Sequence, residues 1–142
     1  MDYRLNKNKA ELDSTGYMEI GPGKYSSEHW QDGFIFIGED AFGVAEGIIE
    51  RHFPTYDHIG MNDLPRAIAV KVIRDLRSAA GILQSLNRFE IETALNLTAA
   101  QYAELGAEVE TNREEISNLL RALANECEDF LRQSDWLCIL GM

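Results

Sequence analysis

The segment TNREEISNLLRALANECEDFL, residues 111–131, carries the strongest helix signal in this chain. Its apolar residues recur at intervals of one, three or four, which places them on one continuous face over about four helical turns. They are Ile116, Leu119, Leu120, Leu123, Cys127, Phe130 and Leu131. Thr111 and Glu114 have the spacing of a capping box, so we predict that the helix begins at this box and packs its apolar face into the core.

Two earlier segments have the same spacing. The first has apolar positions at Ala41, Ala45, Ile48, Ile49 and Phe53. Asp40 is its predicted N-cap, and Pro54 ends it at about His52, because the residue before a proline avoids helical backbone. The second follows a predicted loop over residues 55–62, with Asn62 or Asp63 as cap and Pro65 in its first turn. Its apolar stripe is Ile68, Val72, Leu76, Ala79 and Leu83, and its other side carries Arg66, Lys71, Arg74 and Arg77.

Two shorter helices are predicted before the last one. Residues 88–96 form the first. Thr98 and Gln101 have the spacing of another capping box, which starts the second at residue 99. Gly106 is typical of a helix C-terminus, so we expect this helix to end at about residue 105.

The first third of the chain is typical of a small antiparallel meander. We predict strands at residues 16–20 and 24–30, joined by Gly21-Pro-Gly23, and a third at 34–37 after Asp32-Gly33. Residues 34–37, FIFI, are apolar on both faces, which predicts the most buried strand. Residues 3–12 add a predicted edge strand. The apolar segment 136–140 forms a last strand beside 34–37, or else contributes to a partner interface.

These segments predict an α+β fold, with a small antiparallel N-terminal meander packed against a mostly helical remainder of about four to five helices. We expect residues 1–142 to form a single domain. Cys127 and Cys138 are predicted to be buried thiols, although a disulfide between them stays open. The N-terminus lacks a signal-peptide pattern, and the apolar runs are far shorter than the ~20 residues that span a bilayer, so we expect a cytoplasmic protein.

The charge of the chain is strongly acidic and unevenly distributed. The formal net charge is -11, from 24 acidic and 13 basic side chains. Residues 1–53 hold 10 acids and 5 bases, residues 54–87 hold 3 and 4, and residues 88–142 hold 11 and 4. The excess argues against binding to anionic membranes or directly to nucleic acid. It is explained either by solubility or by recognition of a basic protein.

Residue patterns that carry catalysis are weak in this sequence. His52, Asp57 and His58 span a helix end and a loop, but no further fixed ligand completes a metal site. Ser26 and Ser27 lie near His29 on one predicted strand, a poor arrangement for a nucleophile and its base. The glycines at 38 and 43 flank two acids, which repel phosphate. We therefore expect no enzymatic activity, no metal and no cofactor.

The chain resembles bacterial toxin-immunity proteins, including those of contact-dependent growth inhibition systems. The resemblance rests on its size, its net charge, the meander within residues 17–37 and the lack of a catalytic set. It implies a non-enzymatic protein that binds a basic toxin domain, such as a nuclease, and covers its active site. It transfers no role to any single residue.

Candidate partner contacts are acids and aromatics on predicted turns and loops, where binding residues commonly lie. They are Glu28, Trp30, Asp32, Glu39, Tyr56 and Asp57. The alternative is a regulatory or adaptor protein, or a module that forms a homodimer through residues 136–140. A third class is a small hydrolase that uses scattered carboxylates with His52 and His58.

Overall fold

A computed structural model describes residues 1–13, 16–85 and 87–141 of the chain. Within them the protein forms an antiparallel sheet of five strands together with five α-helices, an α+β fold. The strands are β1 (Leu5–Asn6), β2 (Tyr17–Pro22), β3 (Ile35–Gly38), β4 (Met61–Pro65) and β5 (Trp136–Leu140). The helices are α1 (Glu39–His52), α2 (Arg66–Ile82), α3 (Arg88–Ala94), α4 (Ala99–Thr111) and α5 (Arg113–Gln133). A short 3₁₀ turn covers Lys9–Glu11.

The strand order β1-β3-β2-β5-β4 places the last strand of the chain inside the sheet. Side chains alternate between the two faces of each strand. On the helix-covered face, the alternate residues of β2, β3, β4 and β5 join the helices in the main core. These sheet residues are Met18, Ile20, Ile35, Ile37, Leu64, Leu137 and Ile139.

The opposite face carries a second, smaller apolar cluster of Tyr17, Phe34, Phe36, Cys138 and Leu140. We call it the loop-covered face, because the side chains that close it include Tyr25 and Trp30 from loop 23–34. Gly21 lies beneath the Phe34 ring, where a Cβ on residue 21 would sit 2.3 Å from the ring. Only glycine therefore lets the ring lie directly against the β2 backbone.

The helix signals of the sequence are confirmed where they rest on apolar periodicity. All seven apolar residues predicted for the last helix are buried in α5. The capping box of Thr98 and Gln101 is present at the start of α4, and α3 forms within residues 88–96. Cys127 and Cys138 are buried free thiols.

The predicted strand at 24–30 is wrong. Ser27 and Trp30 have positive φ angles of 68° and 59°, which break extended backbone, and loop 23–34 instead folds back over the sheet. β2 and β3 pair directly across this loop, with Ile20 opposite Ile35. The predicted edge strand is also shorter than expected, since only Leu5–Asn6 pairs with β3.

The predicted loop over 55–62 ends too late, because residues 61–65 form strand β4 beside β5. Neither Asn62 nor Asp63, the two predicted N-caps, caps α2. The Asn62 side chain donates to the carbonyl oxygens of Asp57 and Ile139, and Asp63 accepts the backbone N–H of Tyr25. Pro65 precedes α2 as its N-cap residue rather than lying in its first turn.

Other element ends also differ from the predictions. Gly38, not Asp40, is the N-cap residue of α1. α4 continues through Gly106, which packs against the Tyr102 ring, and ends at Thr111. The predicted capping box of Thr111 and Glu114 therefore does not form. β5 is a buried strand as expected, but its neighbours are β2 and β4, and β2 separates it from β3.

Candidate functional site

One end of the sheet brings distant acidic residues together at the start of α1. β2 begins at Tyr17 and its antiparallel neighbour β3 ends at Gly38, so the segments flanking these strands meet. The backbone N–H of Glu39 donates to the carbonyl oxygen of Gly16 at 2.9 Å. The first residues of the chain run beside the same end, because β1 pairs with β3.

These segments enclose an acidic cleft, which we define by four carboxylates and which has a volume of about 350 Å³. The carboxylates are those of Asp2, Asp13, Glu39 and Asp40. Glu39 and Asp40 lie in the first turn of α1, where the positive end of the helix dipole stabilises negative charge. Asp40 is exposed, and its side chain has no hydrogen bond or ion pair toward the described residues.

The charge of the cleft is only partly neutralised. Arg4 pairs with Asp2 at 2.8 Å, and hydrogen bonding to this guanidinium lowers the pKa of Asp2. The Tyr17 hydroxyl donates to Asp13 at 2.7 Å, and this hydrogen bond raises the pKa of Tyr17. A tyrosine hydroxyl adds no positive charge. Among the described residues, the cations that line or contact the cleft are Arg4, the Met1 ammonium and, when it is protonated, His58, so the four carboxylates outnumber them.

His58 links the cleft to a second carboxylate on α1. Its Nε2 lies 2.6 Å from Glu39 Oε1, and its Nδ1 lies 2.5 Å from Glu46 Oε2. The Tyr56 hydroxyl donates to the same Glu46 oxygen at 2.7 Å. Burial and then the bond to Glu46 raise the pKa of Tyr56, so its hydroxyl stays protonated. This network fastens the loop after α1 to the helix itself.

The hydrogen bonds to Glu46 and Glu39 raise the pKa of His58 above its ordinary value. The pKa of His58 is higher in the folded chain than in the unfolded chain, where it is about 6.5. The ion pairs of His58 therefore contribute their full stabilisation of the fold at pH values below about 6.5. That contribution is lost as the pH rises through the higher folded pKa. Since loss of the imidazolium removes a cation, the cleft becomes more negative at the same time.

Three of the six predicted partner residues lie at this end of the molecule. Glu39 lines the acidic cleft, and Tyr56 is half-buried against Glu46. Asp57 is exposed, but one carboxylate oxygen accepts the backbone N–H of Ile59, which shapes the loop. The structure thus connects Glu39 and Tyr56 through the Glu46 carboxylate and His58.

The other three lie on loop 23–34. Glu28 and Asp32 are exposed, and Asp32 pairs with Lys9 at 3.4 Å. Trp30 is half-buried and stacks on Phe36, with ring centroids 5.5 Å apart. Its indole is therefore part of the loop-covered face and is not presented as a free aromatic anchor.

Sequence reasoning did not select Asp2, Asp13, Asp40 or Glu46 as site residues. Only the pairing of β1, β2 and β3 brings Asp2 and Asp13 to α1, and no local pattern reports that pairing. Glu39 and Glu46 are seven residues apart, which is about two turns of a helix. This spacing could have indicated from the sequence that the two carboxylates share one face of α1.

The residues that the sequence suggested as metal ligands do not form one cluster. They are His52, Asp57 and His58. His52 Nε2 lies 2.6 Å from Asp75 on α2, which also accepts from Arg51 and Arg74. These bonds oppose the effect of burial and lower the pKa of Asp75. In the part of the chain that the structure describes, no group of three or more His, Cys, Asp or Glu side chains is arranged to hold a metal ion.

Comparison with protein-family models, with curated proteins and with solved structures gives no match to this chain. Among the described residues, no helix combines the length and the apolarity needed to cross a membrane.

Proposed function

We propose that this protein is a non-catalytic binding protein that recognises a basic protein partner through the acidic cleft. The observation that carries the proposal is the convergence of Asp2, Asp13, Glu39 and Asp40 around one concavity. A lysine or arginine side chain of a partner fits such a concavity, because carboxylates form short charge-assisted hydrogen bonds with both. The overall charge of -11 adds a long-range field that speeds the encounter with a basic protein.

Within this class, we propose that the partner is a basic toxin domain and that the protein acts as its immunity protein. Such an inhibitor has to block an active site without doing chemistry of its own. The network of Glu39, His58 and Glu46 supports this role, because it holds the loop that carries Asp57 in a fixed position beside the cleft. A fixed surface loses less conformational entropy when it binds.

The cleft is tested by charge reversal at Asp40, whose exposed side chain makes no described ion pair. Asp40→Lys should weaken binding to the basic partner by at least about tenfold, and the loss should shrink as salt is added. Glu50→Lys is the matched control: it makes the same charge change on α1, about 15 Å further along the helix. Equal losses from both variants would mean that only net charge matters and that the cleft is not the site.

The toxin assignment is tested by co-expressing the chain with the toxic domain encoded beside its gene. Survival of the cells, together with a complex on a sizing column, is the expected result. Asp40→Lys should reduce survival, whereas Glu50→Lys should not. Continued killing with no complex would overturn the assignment to an immunity protein.

A further inference from the structure

The surface between α2 and α5 has a character opposite to that of the acidic cleft. It forms an open groove of about 490 Å³ with an apolar floor of Val70, Ile73 and Leu131. Val70, in the second turn of α2, is 50% exposed, whereas Ile73 and Leu131 are buried. We call this feature the arginine groove, because four arginines form its rim: Arg66, Arg74, Arg77 and Arg132.

The arrangement of the rim follows from helical spacing. Arg66, Val70, Arg74 and Arg77 follow one another at intervals of four, four and three, so they share one face of α2. Arg132 approaches from the last turn of α5. Glu128 is the one carboxylate among the described residues that line the groove. Four of the 13 basic side chains of an acidic protein therefore surround one apolar strip.

Each of the four arginines is paired with a carboxylate of the protein itself: Arg66 with Asp135, Arg74 with Asp75, Arg77 with Glu128, and Arg132 with Glu128 and Asp129. These pairs leave at least one nitrogen of every guanidinium without a hydrogen bond to the described residues. Arg74 bonds to Asp75 through Nε alone and has a side chain that is 66% exposed. Arg77 reaches Glu128 and Asn125 through a single terminal nitrogen. A guanidinium has five N–H donors, and exposed ion pairs contribute at most about 1 kcal/mol, so a carboxylate from outside finds both donors and weak competition.

We propose that the arginine groove docks an amphipathic helix from an acidic partner protein. Apolar residues spaced three or four apart would lie on the Val70, Ile73 and Leu131 floor, and flanking carboxylates would accept hydrogen bonds from the guanidinium nitrogens that the internal pairs leave free. A nucleic-acid backbone would use the arginines but has no apolar stripe for the floor. The groove and the acidic cleft share no residue, so this partner is distinct from the basic one proposed above.

The probe is a fluorescein-labelled synthetic helix of 18 residues with leucine at positions i, i+3, i+4 and i+7 of its repeat and glutamate elsewhere. Two matched peptides replace either every glutamate by lysine or every leucine by serine. Anisotropy measured with the full chain should show the acidic amphipathic peptide binding at least about tenfold more tightly than either matched peptide. Amide chemical shifts should move around Val70, Ile73 and Leu131.

Two variants locate the site. Arg74→Glu and Val70→Asp should each weaken peptide binding at least about tenfold, the first through charge and the second through the floor. Arg121→Glu is the control on α5, since this exposed arginine lies outside the groove. Unchanged thermal melting and amide spectra of the unbound variants show that each remains folded.

Several results would overturn the proposal. They are an absence of binding by the acidic peptide up to about 1 mM, equal losses from Arg74→Glu and Arg121→Glu, or chemical shifts confined to another surface. Tighter binding of a 20-nucleotide oligouridylate at the same residues would assign the groove to nucleic acid instead. Concentration-dependent self-association that Val70→Asp abolishes would assign it to a second copy of this chain.

Discussion

The helix-covered and loop-covered faces of the sheet differ in how they satisfy buried polar groups. On the helix-covered side, the buried Ser117 hydroxyl donates to the Ala80 carbonyl oxygen at 2.7 Å and accepts from Gln84. On the loop-covered side, Glu19 is also fully buried, but its carboxylate is only half satisfied. Oε2 accepts the Trp30 backbone N–H at 3.1 Å, whereas Oε1 lies 3.4 Å from His29 Nδ1 without forming a hydrogen bond.

The backbone shows the same contrast. α5 is regular over 21 residues, whereas loop 23–34 contains both Ser27 and Trp30 in the left-handed region that L residues avoid. The helix-covered side is built mainly from regular elements with satisfied polar groups. Its one connection with left-handed backbone among the described residues is Asn96 between α3 and α4, whose φ is 53° and whose side chain donates to the Gly47 carbonyl oxygen. The loop-covered face contains a strained loop held down over a buried carboxylate, so we expect it to open locally at a lower free energy than the helix-covered face.

The largest expected effect lies in the helix-covered core. Leu120→Ala should lower the free energy of unfolding by about 2–5 kcal/mol, because it removes buried methyl groups and leaves a cavity. Chemical denaturation followed by circular dichroism measures the change. The neighbouring exposed residue provides the control, and Arg121→Ala should stay within about 0.5 kcal/mol of the parent. An unchanged midpoint for Leu120→Ala would contradict the central position of α5 in the core.

On the loop-covered face, Glu19→Ala should lower the free energy of unfolding by about 1–3 kcal/mol, since the Trp30 N–H loses its acceptor. Glu19→Gln keeps an acceptor oxygen and the side-chain volume while removing the buried charge. It should therefore be as stable as the parent or more stable. If glutamine destabilised the fold as much as alanine, the negative charge itself, paired with His29, would be what stabilises the loop.

The difference between the faces also explains which predictions from sequence succeeded. The α5 stripe from Ile116 to Leu131 follows from spacing alone, because burying one side of a helix requires apolar residues every three or four positions. The apolar run FIFI also predicts a strand near residues 34–37 from local sequence alone, although β3 covers Ile35–Gly38. It is not the most buried strand, because β2 has five buried residues and β3 has three. These elements carry their information locally.

Loop 23–34 and the acidic cleft depend on contacts between residues far apart in sequence. Nothing near Trp30 indicates that its N–H will bond to Glu19 or that its ring will stack on Phe36. Likewise, Asp2 and Asp40 meet only because β1 and β2 both pair with β3. The position of Glu39 at the boundary between a loop and a helix was enough to suggest it as a site residue. Its contact with His58 is visible only in the tertiary structure.

Thiol reactivity at the two cysteines allows the local opening of the two faces to be compared directly, because Cys127 lies in the main core and Cys138 lies on the loop-covered face. Burial raises the pKa of both Cys127 and Cys138 to about 12, with Asp63 adding to the effect at Cys138. Their reactivity is therefore limited by exposure rather than by different acidity. In single-thiol variants made by Cys→Ala substitution, Cys138 should react with a disulfide reagent at least about tenfold faster than Cys127. Equal rates, or a faster Cys127, would mean that the loop does not open first.

The smallest expected effect concerns the strain in the loop itself. Ser27→Gly should raise the free energy of unfolding by about 0.5–1 kcal/mol, because the left-handed conformation costs an L residue about 1–2 kcal/mol and glycine's greater unfolded entropy offsets only part of the gain. Ser27→Ala removes the same hydroxyl but keeps the Cβ, so it should give no such gain. A gain with glycine alone would identify backbone strain at residue 27 as one source of the weaker loop-covered face. Equal stabilities of the two variants would leave Glu19 as the origin of the difference between the faces.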